Sequence, residues 1–155
     1  MDVDGTLTDG SIYISNQGEF MKAFNIKDGY GIACLLPQKN ITPVIITGRL
    51  SDIVAQRCRE LNIENCFQGV TDKLETLKAF ISQKGSSLAE CAYIGDDLND
   101  MPCMEAVKEA GGLVACPYDA AREVKEYADF IADSKGGSGA VRDFIDNCLS
   151  PNCKY

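Results

Sequence analysis

Short apolar runs rich in β-branched residues recur along the chain, at Thr42 to Ile46, Cys91 to Ile94, Leu113 to Cys116 and Phe130 to Ala132, with segments of helical character between them. This alternation restricts the chain to an α/β fold: a Rossmann-like, mainly parallel sheet with helices on both faces. Ser51 is placed to cap the helical stretch after it, and Gly85 to end the one running from about Asp72 to Lys84. Val141, Phe144, Ile145, Cys148 and Leu149 keep the spacing of one apolar helical face. One segment departs from the alternation. Ser11 to Ser15 and Glu19 to Phe24 flank Asn16-Gln17-Gly18 and read as a projecting β-hairpin, suited either to cover a site or to pair with another subunit. Lys135-Gly136-Gly137-Ser138-Gly139 reads as a mobile loop that closes on a ligand or serves as a connector.

A chain of 155 residues, 45% of them hydrophobic, suits one domain over 1–155 with no separate lid. A net charge of −8 disfavours a nucleic acid or an anionic membrane as partner, so an anionic substrate needs local positive charge. The eight cysteines include no C-x-x-C pair, and with no histidine a mixed zinc site is excluded. They read mostly as reduced core thiols. With no leader pattern and no membrane-length apolar run, the expected location is cytoplasmic. The lack of histidine leaves proton transfer to carboxylates, Lys, Tyr or Cys.

Four polar groups fall where strands end or helices begin, the places at which open α/β sheets gather ligands. Asp2 and Asp4, two residues apart, point the same way in an extended strand, and Gly5 then lets the chain turn. One carboxylate can attack phosphorus while the other protonates the leaving oxygen and then activates water. Alone, the run reads equally as a turn or a calcium loop. Thr47-Gly48-Arg49 follows Val44-Ile45-Ile46 and offers a hydroxyl and free N–H groups to a phosphate, or makes a simple turn. Lys73 stands in the first turn of a predicted helix, where the macrodipole disfavours a cation; a nearby anion would explain it, and a solvated surface lysine is the alternative. Gly95-Asp96-Asp97-Leu98-Asn99-Asp100 gathers three acids and an amide after a strand, which suits Mg2+ or, more plainly, a helix-capping turn.

Asp2 ought to end a buried central strand, yet only Met1 precedes it. Either several apolar residues belong upstream, the expectation favoured here, or the sheet tolerates a very short strand.

In combination, Asp-x-Asp, Thr-Gly, Lys and Gly-Asp-Asp-x-x-Asp resemble the haloacid dehalogenase superfamily over nearly the whole chain. The resemblance implies Asp2 as nucleophile, Asp4 as acid/base and Thr47 and Lys73 as phosphate binders. It also implies magnesium held by Asp2, Asp96 and the Asp4 carbonyl, with Asp97, Asn99 and Asp100 acting from behind on the metal's waters and on Lys73. No cap domain fits between Gly10 and Thr47 or between Lys73 and Gly95.

Asp9-Gly10-Ser11-Ile12-Tyr13, Lys22 to Gly31, Gln68-Gly69-Val70-x-Asp72-Lys73 and Gly136 to Arg142 are similar to the capless 3-deoxy-D-manno-octulosonate 8-phosphate phosphatases. That family implies a homotetramer, with the hairpin and C-terminal tail at neighbouring active sites, acting on a phosphorylated 2-keto-3-deoxy sugar acid. Gly48, with Thr47, is a substrate-binding candidate at the phosphate, while Arg49, Arg57, Lys27 and Arg142 are candidates near the sugar acid, each cation equally readable as part of a surface ion pair. Arg49 tilts the expectation toward the octulosonate and away from a nonulosonate 9-phosphate. The rivals are a non-catalytic oligomerisation domain of a sugar-nucleotide synthetase, a phosphatase of another small metabolite, and a receiver-like domain. The intact acids and lysine, the lack of a cap, and the D-x-D-G-T form speak against them in turn.

Overall fold

The computed structural model describes residues 1–148, with side chains through residue 147. Leu149, Cys153 and the tail beyond them lie outside the described residues, as does the Cys148 side chain. The strands of the sheet are β3 (Val44–Ile46), β4 (Asn65–Phe67), β5 (Ala92–Ile94), β6 (Leu113–Cys116) and β7 (Phe130–Ile131). β3 pairs parallel with β4, and β5, β6 and β7 form a second parallel ladder. Between the two ladders run Met1 and Asp2. The Met1 nitrogen donates to the Val44 carbonyl at 2.8 Å, the Met1 carbonyl accepts from Ile46 N–H at 3.0 Å, and Asp2 N–H donates to the Ile94 carbonyl at 3.1 Å. The spatial order is therefore β4, β3, Met1–Asp2, β5, β6, β7, and Asp2 holds the central position. Toward the N-terminal ends of β3 and β5 the sheet opens onto a cavity of about 530 Å³, lined by Met1, Val44, Ala92, Leu77, Phe80 and Phe144 among others.

The helices are α1 (Ile26–Tyr30), α2 (Leu36–Gln38), α3 (Asp52–Glu60), α4 (Lys73–Lys84), α5 (Met101–Glu109), α6 (Arg122–Tyr127) and α7 (Ala140–Cys148). The period-2 alternation of strand side chains sorts them onto two faces. Ile45, Ile94 and Ala115 point into one core, with Val54 and Cys58 of α3 and Val141, Phe144 and Ile145 of α7. Ile46, Tyr93, Val114 and Cys116 point into the other, with Leu77 and Ile81 of α4, Met104 and Val107 of α5 and Val124 of α6.

Ser51 accepts from Val54 N–H at the start of α3, and Gly85 ends α4 in the left-handed region at φ 66°. Cys34, Cys58, Cys66, Cys91, Cys103 and Cys116 are free. No described helix is long and apolar enough to cross a membrane.

Two expectations need correction, and one strand has no counterpart in the sequence pattern. The hairpin is shorter than its apolar pattern, with β1 (Tyr13–Ser15) and β2 (Gly18–Met21), so Lys22 to Phe24 leave the strand. β4 had no place in the periodic pattern: three half-buried residues are drawn into the sheet by pairing with β3. The glycine-rich stretch is docked rather than free. Gly137 N–H donates to the Thr6 carbonyl at 3.1 Å and Gly136 N–H to Asp119 Oδ1 at 2.9 Å. A Cβ on Gly136 would lie 1.9 Å from the Gly5 carbonyl oxygen, so only glycine fits that approach.

Candidate active site

The strands deliver their loops to one end of the sheet, and Asp2 stands at its centre there. Directly after it the chain coils on itself, the amides of Thr6, Leu7 and Thr8 donating to the Val3 carbonyl at 3.2, 2.9 and 3.0 Å. Gly5 permits this turn at φ +93°, and a Cβ there would stand 2.0 Å from Asp96 Oδ2. The turn thus lies directly against the loop that follows β5. Thr6 Oγ1 ties them together by donating to Asp96 Oδ1 at 3.0 Å.

Behind these groups Asp100 is fully buried. Its Oδ1 accepts from Lys73 Nζ at 2.8 Å and from the Tyr93 hydroxyl at 2.7 Å, and its Oδ2 accepts from Asp96 N–H at 3.1 Å. Lys73 opens α4 just after the cap residue Asp72, and its buried ammonium lies 3.0 Å from Asp2 Oδ1. The anion that its position in a first helical turn called for is therefore present twice. Burial alone would lower Lys73, but the attraction of Asp100 and Asp2 outweighs it and holds the ammonium above the ordinary lysine range.

The acids respond in the opposite sense. Burial, then repulsion from Asp100, raises Asp2 above the usual carboxylate range, and Lys73 offsets this only in part. Burial pushes Asp96 up to about 7, Asp100, Asp2 and Asp97 adding repulsion against the Thr6 hydrogen bond. Such a cluster lacks positive charge.

A cation would supply it, and the residues fit one. Oxygens of Asp2, Asp96 and Asp100 lie within 4.8 Å of one another. Asp100 is already committed to Lys73, Tyr93 and Asp96 N–H, which leaves Asp2 and Asp96. Asp2 Oδ1 is buried 3.0 Å from Lys73 Nζ, and among the described residues no other group donates to it. Among the described residues, the Asp4 carbonyl accepts no main-chain hydrogen bond outside the regular elements. A hard divalent ion takes such oxygens.

Thr47 is buried at the end of β3, its N–H given to the Phe67 carbonyl at 2.9 Å, with Gly48 and Arg49 exposed after it. Asp97 is exposed and caps Leu98 N–H at 2.8 Å, and Asn99 is exposed in the same turn. The cations that the sequence suggested for the sugar acid make no described contact with Asp2, Asp4 or Asp96. Lys27 is exposed on α1. Arg57 pairs with Glu60 at 3.1 Å and lies over Phe24, and Arg142 pairs with Asp146 at 2.7 Å and lies over Tyr30.

Sequence reasoning missed Lys22. Its ammonium, from just past β2, is buried against Asp4 Oδ1 and stands 3.0 Å from Glu19 Oε1. The one available signal was a lysine three residues after a glutamate in a hairpin otherwise apolar at that end. Thr6 and Tyr93 likewise hold Asp96 and Asp100 without having been singled out.

A buried aspartate at the centre of a parallel sheet, with a lysine, a threonine loop and a second acidic loop at the same end, is an arrangement suited to phosphoryl transfer. Comparison with known proteins carries this further. Residues 63–145 match the haloacid dehalogenase-like hydrolase family. A 3-deoxy-D-manno-octulosonate 8-phosphate phosphatase of Salmonella typhi is 43% identical over 149 residues, covering 96% of this chain and 77% of the relative. The crystal structure of the phosphatase of that name from Yersinia pestis superposes with a TM-score of 0.87 at 42% identity, over 94% of this chain and 76% of that one. The Moraxella catarrhalis enzyme of that name, solved with magnesium, phosphate and a KDO molecule, gives a TM-score of 0.85 at 41% identity, over 94% and 81%. The chain belongs to the haloacid dehalogenase-like hydrolases, in the family of the 3-deoxy-D-manno-octulosonate 8-phosphate phosphatases.

Proposed function

We propose that this phosphatase hydrolyses 3-deoxy-D-manno-octulosonate 8-phosphate, with Asp2 as nucleophile and Mg2+ as the metal. The observation that carries the proposal is the buried Asp2 carboxylate, its Oδ1 3.0 Å from Lys73 Nζ and its oxygen within 4.8 Å of those of Asp96 and Asp100. An Asp2 oxygen attacks phosphorus, the ester P–O bond breaks, and Asp4 gives its proton to the departing sugar oxygen. Asp4, now a carboxylate, takes a proton from water. The water oxygen attacks the aspartyl-phosphate, releasing inorganic phosphate and restoring Asp2. Lys73 and Thr47, with the amides after β3, hold the phosphoryl oxygens, and Asp100 and Tyr93 fix Lys73 in place. Asp2, Asp96 and the Asp4 carbonyl would hold the magnesium ion, which supplies the positive charge the acids lack.

The relatives are 3-deoxy-D-manno-octulosonate 8-phosphate phosphatases, which supports the octulosonate and gives no support to the nonulosonate or scaffold readings. Arg49, Arg57, Lys27 and Arg142 remain candidates for the sugar acid, those distant from Asp2 through a neighbouring subunit of a homotetramer, and Gly48 stays with Thr47 at the phosphate. The exposed Ile14 and Phe20 of the hairpin suit such an assembly. One domain over 1–155 and a cytoplasmic location belong to the same proposal.

The test is phosphate release with magnesium from a panel of sugar-acid phosphates, by the parent and by Asp2→Asn. The parent should prefer the octulosonate and the variant should release nothing measurable. Equal release by both would remove Asp2 from the chemistry, and preference for another sugar acid would replace the substrate.

A further inference from the structure

The hairpin does more than stand beside the site, because its two charged side chains reach the Asp4 carboxylate and the loop after β3. Lys22 follows β2 directly, so the strand's pleat no longer dictates its direction. Its side chain, 1% exposed, turns inward onto Asp4 Oδ1. Glu19 holds the other side of the same ammonium through Oε1 at 3.0 Å, while its Oε2 accepts from the Ser51 hydroxyl. Ser51 is itself fixed twice: its N–H donates to Gln68 Oε1 at 2.7 Å, and its Oγ accepts from Val54 N–H at 3.3 Å in the first turn of α3. Asp4, Lys22, Glu19 and Ser51 therefore form one continuous line from the turn after Asp2, through the hairpin, to the helix that follows the Thr47 loop.

A carboxylate with one oxygen anchored has one oxygen left to work with. Lys22 occupies Oδ1, and no described group donates to Oδ2. A side chain positioned in this way transfers a proton along one direction, whereas an unanchored aspartate samples several rotamers, of which few face the leaving oxygen. Glu19 Oε1, 3.0 Å from the same ammonium, adds a second negative charge that offsets part of the cost of burying the lysine.

We infer that Lys22, braced by Glu19 and Ser51, is a positioning residue that aims Asp4 Oδ2 at the leaving oxygen of the substrate. The inference rests on the acid role of Asp4 given under the proposed function. Lys22 touches no reacting atom; it acts through Asp4.

A leaving-group series separates this role from a structural one. A poor leaving group, such as an alkoxide, needs the proton at once, whereas p-nitrophenolate departs without it. The ratio kcat/KM covers steps only through departure of the alcohol. Lys22→Met should lose about tenfold or more in kcat/KM on alkyl phosphates, against less than about threefold on p-nitrophenyl phosphate, since general acid catalysis contributes on the order of 10²–10⁴. Lys22→Arg should recover part of the alkyl activity, and Glu19→Gln should show the same pattern more weakly. The comparison between leaving groups is made within each variant, so it is unaffected by the fraction of protein that folds.

Asp4→Asn is the reference. If its losses are graded with the leaving group and those of Lys22→Met are flat or absent, Lys22 does not position the acid. If the losses of Asp4→Asn are themselves flat, the acid role falls and the inference with it. Parent enzyme that cleaves simple phosphate esters but no octulosonate phosphate would overturn the substrate alone and leave this test intact.

Discussion

Gly136 rests on Gly5 so closely that a methyl group on the first would lie 1.9 Å from the carbonyl oxygen of the second. The glycine-rich stretch before α7 is thus a backing plate for the turn that carries Asp4. Gly136→Ala should cost about 1–3 kcal/mol, the usual range for overpacking, and should lower phosphate release by more than the loss of folded protein accounts for. Urea unfolding together with the rate per folded molecule checks this. A variant with parental stability and rate would mean that the two loops separate freely.

Lys73 compensates two buried acids, and its removal leaves both facing each other. Lys73→Met should lose about 3–5 kcal/mol in metal-free buffer, as expected when one partner of a buried ion pair is deleted. Millimolar magnesium should restore part of that stability, because Asp2 and Asp96 can hold the ion, but not the activity. The midpoint of urea unfolding with and without magnesium is the measurement. Parental stability in the metal-free variant would show that water already screens the acids.

The raised carboxyl of Asp96 sets a pH dependence of definite sign. Between its ordinary value of 3.8 and about 7, the folded chain keeps a proton that the unfolded chain has released, so this contribution to stability falls as pH rises. Glu19, Glu60 and Glu90 are all lowered and add little change above about pH 5. In metal-free buffer, raising the pH from about 5 to about 8 should therefore lower the Tm of the parent relative to Asp96→Asn by at least about 2 °C. Magnesium should abolish the difference. An unchanged gap across the range would place Asp96 in a solvated setting.

Ile14 and Phe20 are 73% and 70% exposed on a two-stranded hairpin, where an isolated chain gains nothing from apolar side chains. On the proposed assembly these side chains are covered by other subunits. Light scattering should find a tetramer in the parent and a smaller species in the Ile14→Lys, Phe20→Lys double variant. A monomeric parent would dismiss the assembly.

The sequence made the sheet legible where the strands are largely buried, since Val44-Ile45-Ile46 and Leu113 to Cys116 are short apolar runs, rich in β-branched residues in the first case and bounded by Gly112 and Pro117 in the second. β4 was illegible because Asn65-Cys66-Phe67 has no pattern of its own and takes strand form from its neighbour. The helical stretch from Ile26 to Gln38 went unassigned because it contains Gly29, Gly31 and Pro37, which argue locally for a turn. At the site, Asp2, Lys73, Asp96 and Asp100 stand in strand-end or helix-start motifs and could be named. Lys22 could not, since its link to Asp4 depends on the direction in which the hairpin folds back, and no local pattern encodes that.

The seam formed by Met1 and Asp2 has one more consequence. Among the described residues, the two ladders exchange main-chain hydrogen bonds through these two residues, one of which is also the proposed nucleophile. Parting β3 from β5 would take Asp2 away from the loop that follows one of them, so opening the sheet at this place would also undo the proposed reactive centre.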